Sequence, residues 1–587
     1  MINKNIRHWT INESTEGLLF FALRMDEILF DYTLDTFKAP ALNTALLCEE
    51  FLNVADEIEE QKLDSKNLEL IFEELKWLYG NDIVAKAIVG KRSSDYLDGI
   101  DLTNHKQASI KINLLYNKLK RRKYLDACQR LLTELVKTPT KKSDIDSVIK
   151  FYVSGLIDIG YNQSFIYSIT QKVFFTSNLA IDNPSQIDLF FNNLDFKPKK
   201  YKVIYKCSSL FKEIKDSCQT FGIEISEQVD CNGVNDTCKH FIQGKKARDL
   251  YLTVSERKNL ENFSAKERAE DMINKIASLF VFFHHKEKPI WSDEALVYDI
   301  ENPANSWVIG NTTRGINKVP DMHPQKAAKS LQMVLRKFRL EEDSFSRFDT
   351  ATDLHAIAVN SKDIQNQLLN LWIAVETLIP PDKSKSKIEN YVEVLSAHLV
   401  HGYLKKVIDY LARDIVRWSY HDSTNLFKKI PSDAETVDKL AALLSVDSLQ
   451  PLRDELFSKL SAQPLLKYRI FKTSEHLKSA KSISDFLNTH EFKVRLHLFR
   501  IYRTRNLIVH SGTAPNYTEI LVENLHNYVD TFLNKILDLV LDGRQIDTIE
   551  QGIQEIRLLV NRHKNILKTR KDEVTTHDNY KELIFGQ

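Results

Sequence analysis

Arg505 and His510 lie five positions apart in "RTRNLIVHSG", with Asn506 directly after the arginine. These three residue types suit one kind of chemistry. An imidazole, which ordinarily titrates near neutrality, can take the proton of an RNA 2′-hydroxyl or protonate the leaving oxygen. A guanidinium can hold both non-bridging oxygens of the phosphate while negative charge develops there. Asn506 can donate a hydrogen bond to the phosphate or orient the imidazole. Cleavage by such a set needs no metal, leaves a 2′,3′-cyclic phosphate and a 5′-hydroxyl, and spares DNA, which has no 2′-hydroxyl.

Spacing alone does not single this pair out. Arg469 and His476, Arg557 and His563, and Arg570 and His577 have comparable separations. Context separates them. "VRLHLFRIYRTRNLIVHSGTAP" reads as a helix packed through Leu498, Ile501, Leu507 and Ile508, with a Ser-Gly stop and Pro515 just beyond. His510 then falls near the helix C-terminus, about 140° around the axis from Arg505, so both side chains must lean toward one cleft. Arg500 and Arg503 widen the positive surface beside them and are candidate RNA contacts.

A second helix must supply the other wall. "IQNQLLNLWIAVETLIP" carries Leu368, Leu371, Trp372, Val375 and Leu378 on one face and stops at Pro380 and Pro381. Glu376 lies within it, facing solvent or a partner cation. The run "KSKSK" that follows makes Lys383, Lys385 and Lys387 candidate RNA contacts, against the plainer reading of a solvated face. The same two readings apply to "KLKRRK" (Lys118 to Lys123) and "KPKKYK" (Lys197 to Lys202), the latter offering Tyr201 as a base-stacking ring.

Two clusters resemble metal sites. Cys231, Cys238 and His240 in "CNGVNDTCKH" bring thiols and an imidazole together, but the C-x6-C spacing exceeds the usual knuckle and no fourth ligand is evident. His284 and His285 are adjacent, and neighbouring helical residues point apart. The expectation is no metal and no cofactor.

The whole chain sets limits on these candidates. It has 587 residues, too many for one core, so several domains are expected. Apolar residues make up 43% and charged residues 27%, as in a chain that folds throughout. A net charge of +1 excludes a polycation that coats nucleic acid, so any RNA contact must be local. Six cysteines in so long a chain form no dense disulfide framework, and neither a signal-peptide core nor a bilayer-length apolar run is present. The cytoplasm is the expected compartment.

The fold class expected is mainly α and multidomain. Residues 1–190 repeat apolar positions at three- and four-residue steps, as a helical N-terminal domain does. From 197 to 312 the pattern becomes β-α-β, loop, β-α-β, a small α/β domain of the split βαβ, ferredoxin-like kind. Residues 325–541 return to helix, and 543–587 read as a C-terminal helical tail.

"YRTRNLIVHSG", after the "LWIAVETL" and "KIENYVEVL" helices, resembles the HEPN superfamily, whose ribonuclease motif is R-N-x-x-x-H. The flanking aromatic residue and the His-Ser-Gly ending are most similar to the Apea-like branch found in bacterial anti-phage defence proteins. The resemblance covers roughly residues 325–541. It implies a HEPN-type helical bundle that dimerises to form a composite RNA-cleaving cleft, with Arg505 and His510 as the catalytic pair. Asn506 matches the polar position after the arginine, and Glu376 the acidic position of the upstream helix. It further implies a toxic effector of an anti-phage or abortive-infection system, a homodimer answering a phage-derived trigger or regulatory partner. The other reading is a catalytically silent HEPN-type module that binds RNA or protein in a regulatory role.

Overall fold

The computed structural model describes residues 4–30, 38–60, 65–90, 94–243, 250–310, 315–318, 322–430, 435–541 and 546–586. Most of them are helical, with one small sheet in the middle of the chain. The chain divides into two compact units. One comprises Met1–Phe151, Leu179–Pro184 and Arg314–Gln587; the other comprises Tyr152–Asn178 and Ser185–Thr313. The helices before Phe151 and the motif-bearing C-terminal region, separate domains by chain order, therefore share one unit, while Gln163–Phe174 and Ile187–Phe191, expected in the N-terminal domain, fall in the sheet-bearing unit. The expected boundaries at 312 and 543 lie outside the described residues.

The helix Glu16–Leu29 shows why the ends of the chain merge. Its sequence "EGLLFFALRMDEIL" is apolar nearly all round, so it needs partners on every side, and Gly17 through Leu29 are buried. Phe20 meets Tyr468 edge-on at 5.2 Å between ring centres. The few charges on this helix are answered by a buried ionic network. Arg24 Nε donates to Asp146 at 2.6 Å and Nη1 to Glu27 at 2.9 Å, while Arg469 bridges Glu27 and Asp414. Burial favours the neutral form of the Asp146 carboxyl, but Lys150 and Arg24 outweigh it and hold the group well below the usual carboxylate range. Gly17 is required by close approach, since a Cβ there would lie 2.1 Å from the carbonyl oxygen of Val136.

The C-terminal stretch is helical as expected, but it is not a separate tail. Thr548 and Gln551 form a capping box that starts the helix Ile549–Thr569. Its Ile556, Val560 and Leu567 join a core shared with Leu411, Leu443, Ile483 and Leu487, as do Leu583 and Ile584 of the last helix.

The second unit is built on a sheet of β1 (Lys199–Cys207), β2 (Ile223–Ser226), β3 (Leu250–Asn259), β4 (Trp291–Asp299) and β5 (Ser306–Ile309). The strand order is β2-β3-β1-β4-β5, and every neighbouring pair is antiparallel. Because β3 lies between β1 and β2, the crossover through the helix Lys215–Thr220 is a split βαβ, as the pattern predicts. Side chains alternate with period two. Tyr201, Val203, Tyr205 and Cys207 face a core with Ala265, Ala269 and Ile273 of the helix Asn262–Phe283, while Ile204 faces Tyr251, Leu296 and Tyr298 on the other side. β5 forms at "SWVI", a stretch whose pattern reads as a strand, and the helix Asp236–Gln243 is an addition to the expected pattern. Among the described residues of the whole chain, no helix is long and apolar enough to cross a membrane.

Candidate active site

Arg505 and His510 are carried by the helix Ala480–Ser511. Ser479 and Ser482 cap its start reciprocally, and Ile483, Leu487, Val494, Leu498, Ile501 and Ile508 form the stripe that buries it. It ends at Gly512 in the left-handed conformation (φ 65°), whose N–H donates to the Ile508 carbonyl at 3.1 Å. The Ser-Gly stop is where the sequence predicts it. With one face fixed by the stripe, Arg505 comes to the rim of the core and His510 to the exposed last turn.

Arg505 meets the second wall. Its Nη2 lies 3.7 Å from Glu376 Oε2, and its Nη1 donates to Asn506 Oδ1 at 3.1 Å. Glu376 is itself held, because Trp372 Nε1 donates to its Oε1 at 2.8 Å across one turn of the helix Ile364–Leu378. The indole is fully buried and packs against Tyr391 and Tyr502, with ring centres 5.9 and 5.6 Å away. Burial, and after it the Glu376 charge, pushes the Tyr391 hydroxyl up, so it stays protonated beside the carboxylate. Arg505 and Glu376 are each about one quarter exposed (25% and 27%), which leaves guanidinium surface for an incoming anion.

Among the described residues, no hydrogen bond or ion pair joins Arg505 to His510. Five residues of ideal helix separate them by about 7.5 Å of rise as well as the turn around the axis. Val509, beside His510, is 51% exposed, and Ile373, on the helix of Glu376, is 39% exposed. The groove of about 670 Å³ that includes Glu393, Arg495 and Lys564 contains none of Arg505, His510 and Glu376.

The other expected RNA contacts fare differently. Arg500 is buried, not solvated: Nη2 donates to Glu50 at 3.0 Å, and both terminal nitrogens reach Glu74. Arg503 Nη1 donates to the other Glu50 oxygen at 2.8 Å, and Tyr517 donates to that oxygen from 3.4 Å. Burial alone would raise the Glu50 carboxyl, but Arg500 and Arg503 outweigh it and hold it below the usual range; the two glutamates in turn hold Arg500 firmly protonated. Both arginines are thus committed to N-terminal helices. Lys385 pairs with Glu393 and lies 3.9 Å from Asp382, whereas Lys383 and Lys387 are exposed.

The remaining candidates separate into structural roles. Tyr201 is buried in the sheet and offers no ring to a base. In "KLKRRK", Arg121 forms a two-point contact with Glu49 and Arg122 pairs with Asp126. Cys238 points into the core beside Phe241 while His240 is exposed, so the cysteine loop forms no ligand group. His284 and His285 do not converge either; the His285 ring contacts the Phe282 carbonyl at 3.0 Å.

Glu50, Glu74 and Trp372 are the residues about the motif that the sequence did not single out for this role. Trp372 and Glu376 stand four apart on one helix, a spacing that signals the contact. Glu50 and Glu74 lie more than four hundred positions from their arginines, and nothing local marks them. In comparisons with known proteins, no family model, no curated protein and no solved structure matches the chain.

Proposed function

We propose that the chain is a metal-independent endoribonuclease of HEPN type, in which Arg505 holds the scissile phosphate and His510 moves the proton. The observation that carries this reading is the pairing on one helix end: a quarter-exposed Arg505 braced by Glu376 and Asn506, followed by a solvent-open imidazole at a left-handed stop. The 2′-hydroxyl attacks phosphorus as His510 takes its proton, the bond to the 5′-oxygen breaks, and that oxygen takes a proton from solvent water. Arg505 neutralises the charge that builds on the non-bridging oxygens, and Asn506 fixes the guanidinium plane. Lys383 and Lys387 are open to the RNA backbone beyond the site.

Because Arg505 and His510 do not meet within one chain, a homodimer that juxtaposes two motif helices completes the site, and the exposed Val509 and Ile373 suit that contact. A role as toxic effector of anti-phage defence or abortive infection rests on the motif resemblance alone. The sheet-bearing unit, with the helices Gln163–Phe174 and Ile187–Phe191, is then the part left to sense a trigger, since the helices before Phe151 are built into the unit that carries the motif.

A second reading has one observation in its favour. The Glu376 carboxylate of the same chain already contacts Arg505, as it would in a silent module that binds RNA or protein. Incubating total RNA and a matched DNA oligonucleotide with the chain in EDTA separates the two. Cyclic-phosphate RNA ends produced by the wild type, and lost in Arg505→Ala and His510→Ala, support the nuclease. RNA retained on the protein but uncut, with the trigger supplied, supports the binding module.

A further inference from the structure

Away from the motif, three ligand-bearing side chains converge. His355 comes from the helix Glu342–Asn360, and His526 and Asp530 come from the helix Thr518–Leu541. Their ligand atoms all lie within 4.8 Å of one another. Among the described residues they are the only such group of histidines, cysteines and carboxylates. His526 and Asp530 are four apart, so one helix face presents both, and the facing helix supplies the third member. Helical bundles build metal centres from such facing positions.

The geometry points to more than a His–Asp ion pair. His355 Nε2 lies 2.9 Å from Asp530 Oδ1, and His526 Nε2 lies 3.6 Å from Asp530 Oδ2. Zinc bonded at about 2.0–2.1 Å in a tetrahedron separates its ligand atoms by roughly 3.3 Å. The two distances, one to each Asp530 oxygen, fall on either side of that edge. The imidazoles are nearly parallel, 19° between planes and 5.0 Å between centres, and both turn the same nitrogen toward one carboxylate. An ion pair needs one imidazole there; two facing the two oxygens of one carboxylate suit a shared cation.

The donor set selects the ion. Two imidazoles and one carboxylate are borderline nitrogen and oxygen ligands, suited to zinc or its transition-metal neighbours rather than to magnesium or calcium, which prefer oxygen shells. His526 is buried, while His355 and Asp530 are partly open, so an ion has a route in from the Asp530 side.

We infer that His355, His526 and Asp530 form a binding site for one divalent transition-metal ion of zinc's ligand preference. Three protein ligands leave a fourth position for water. The ion ties the helix Glu342–Asn360 to the helix Thr518–Leu541. The site shares no residue with the Arg505 and His510 pair, and the inference stands whether or not that pair cleaves RNA.

The test is titration of the full-length, chelator-dialysed chain with Zn²⁺ and with Co²⁺, read by calorimetry and by cobalt absorption. The expected result is one tight equivalent with an intense visible cobalt band of low coordination number, and a rise in melting temperature on zinc addition. His355→Ala and Asp530→Asn should each weaken that equivalent by at least ~10-fold and abolish the melting shift. Asp530→Asn keeps the shape of the side chain, so it carries the test if His355→Ala does not fold. The inference is overturned if the wild type takes up no equivalent at micromolar free metal, or if both variants bind as the wild type does.

Discussion

The Glu50 carboxylate lies 3.0 Å from the Arg500 guanidinium, joining residues 450 positions apart, and its second oxygen accepts from Arg503. Arg500→Ala would leave Glu74 without its cation and Glu50 with Arg503 alone. Losing one partner of a buried pair costs about 3–5 kcal/mol, so chemical denaturation should report a loss of that order. Arg503, which is more exposed, should cost less.

The same carboxylate predicts a pH dependence. Glu50 is held below the usual glutamate range in the folded chain, so the unfolded chain takes up its proton first as pH falls. Its contribution to stability is present above the ordinary carboxylate value of about 4.3 and is lost as pH drops through the lower folded value. Urea midpoints measured from pH 6 down to pH 3 should fall less steeply in Glu50→Gln than in the wild type.

His398 acts in a higher window. It is buried against Phe532, with 4.4 Å between ring centres, and burial brings it down to about 3. Between the ordinary histidine value near 6.5 and about 3, the unfolded chain is protonated and the folded chain is not, so stability rises with pH there by up to about 1.4 kcal/mol per unit. His398→Phe should flatten that part of the stability profile.

At the candidate site, Arg505→Ala and His510→Ala should each reduce RNA cleavage by roughly 10²–10³-fold. Arg505→Lys should restore little, because a point charge cannot hold two phosphate oxygens in one plane. Glu376→Gln retains an acceptor for the Trp372 N–H and should keep the fold, whereas Glu376→Ala strands that donor and should cost about 1–2 kcal/mol. Thermal melts and cleavage rates on the same preparations separate the two effects.

Gly17→Ala would place a methyl group 2.1 Å from a backbone carbonyl in a packed core. Overpacking of this kind costs about 1–3 kcal/mol, and a rigid backbone neighbour favours the upper end. A lowered melting temperature with unchanged cleavage per folded molecule is the expected outcome.

Local pattern carried much of this structure. The stripe and Gly512 stop of the motif helix, the Trp372 and Glu376 spacing, and the split βαβ order all follow from periodicity and turn chemistry within short windows. Three features depend on distant partners instead. The arginines that read as an RNA-facing surface are neutralised by Glu50 and Glu74; the tyrosine of "KPKKYK" falls on the inner face of a strand; and His355 meets Asp530 only after the bundle folds. Charge in a sequence does not say whether its counter-charge is water or a carboxylate hundreds of residues away. The helix Glu16–Leu29 gave a usable hint, since a helix apolar on every side must be enclosed by something.

The enclosure of that helix bears on how the chain can be divided. A fragment spanning 325–541 would lack Glu27 opposite Arg469, Glu50 and Glu74 opposite Arg500, and the first helix itself. It would be an incomplete protein, with the Arg500 guanidinium stripped of its carboxylates and the apolar surface that the first helix covers laid open. The N-terminal segment behaves as a built-in subunit, and a motif region produced without it is expected to aggregate, while co-expression of the two pieces offers the route to reassembling the split chain.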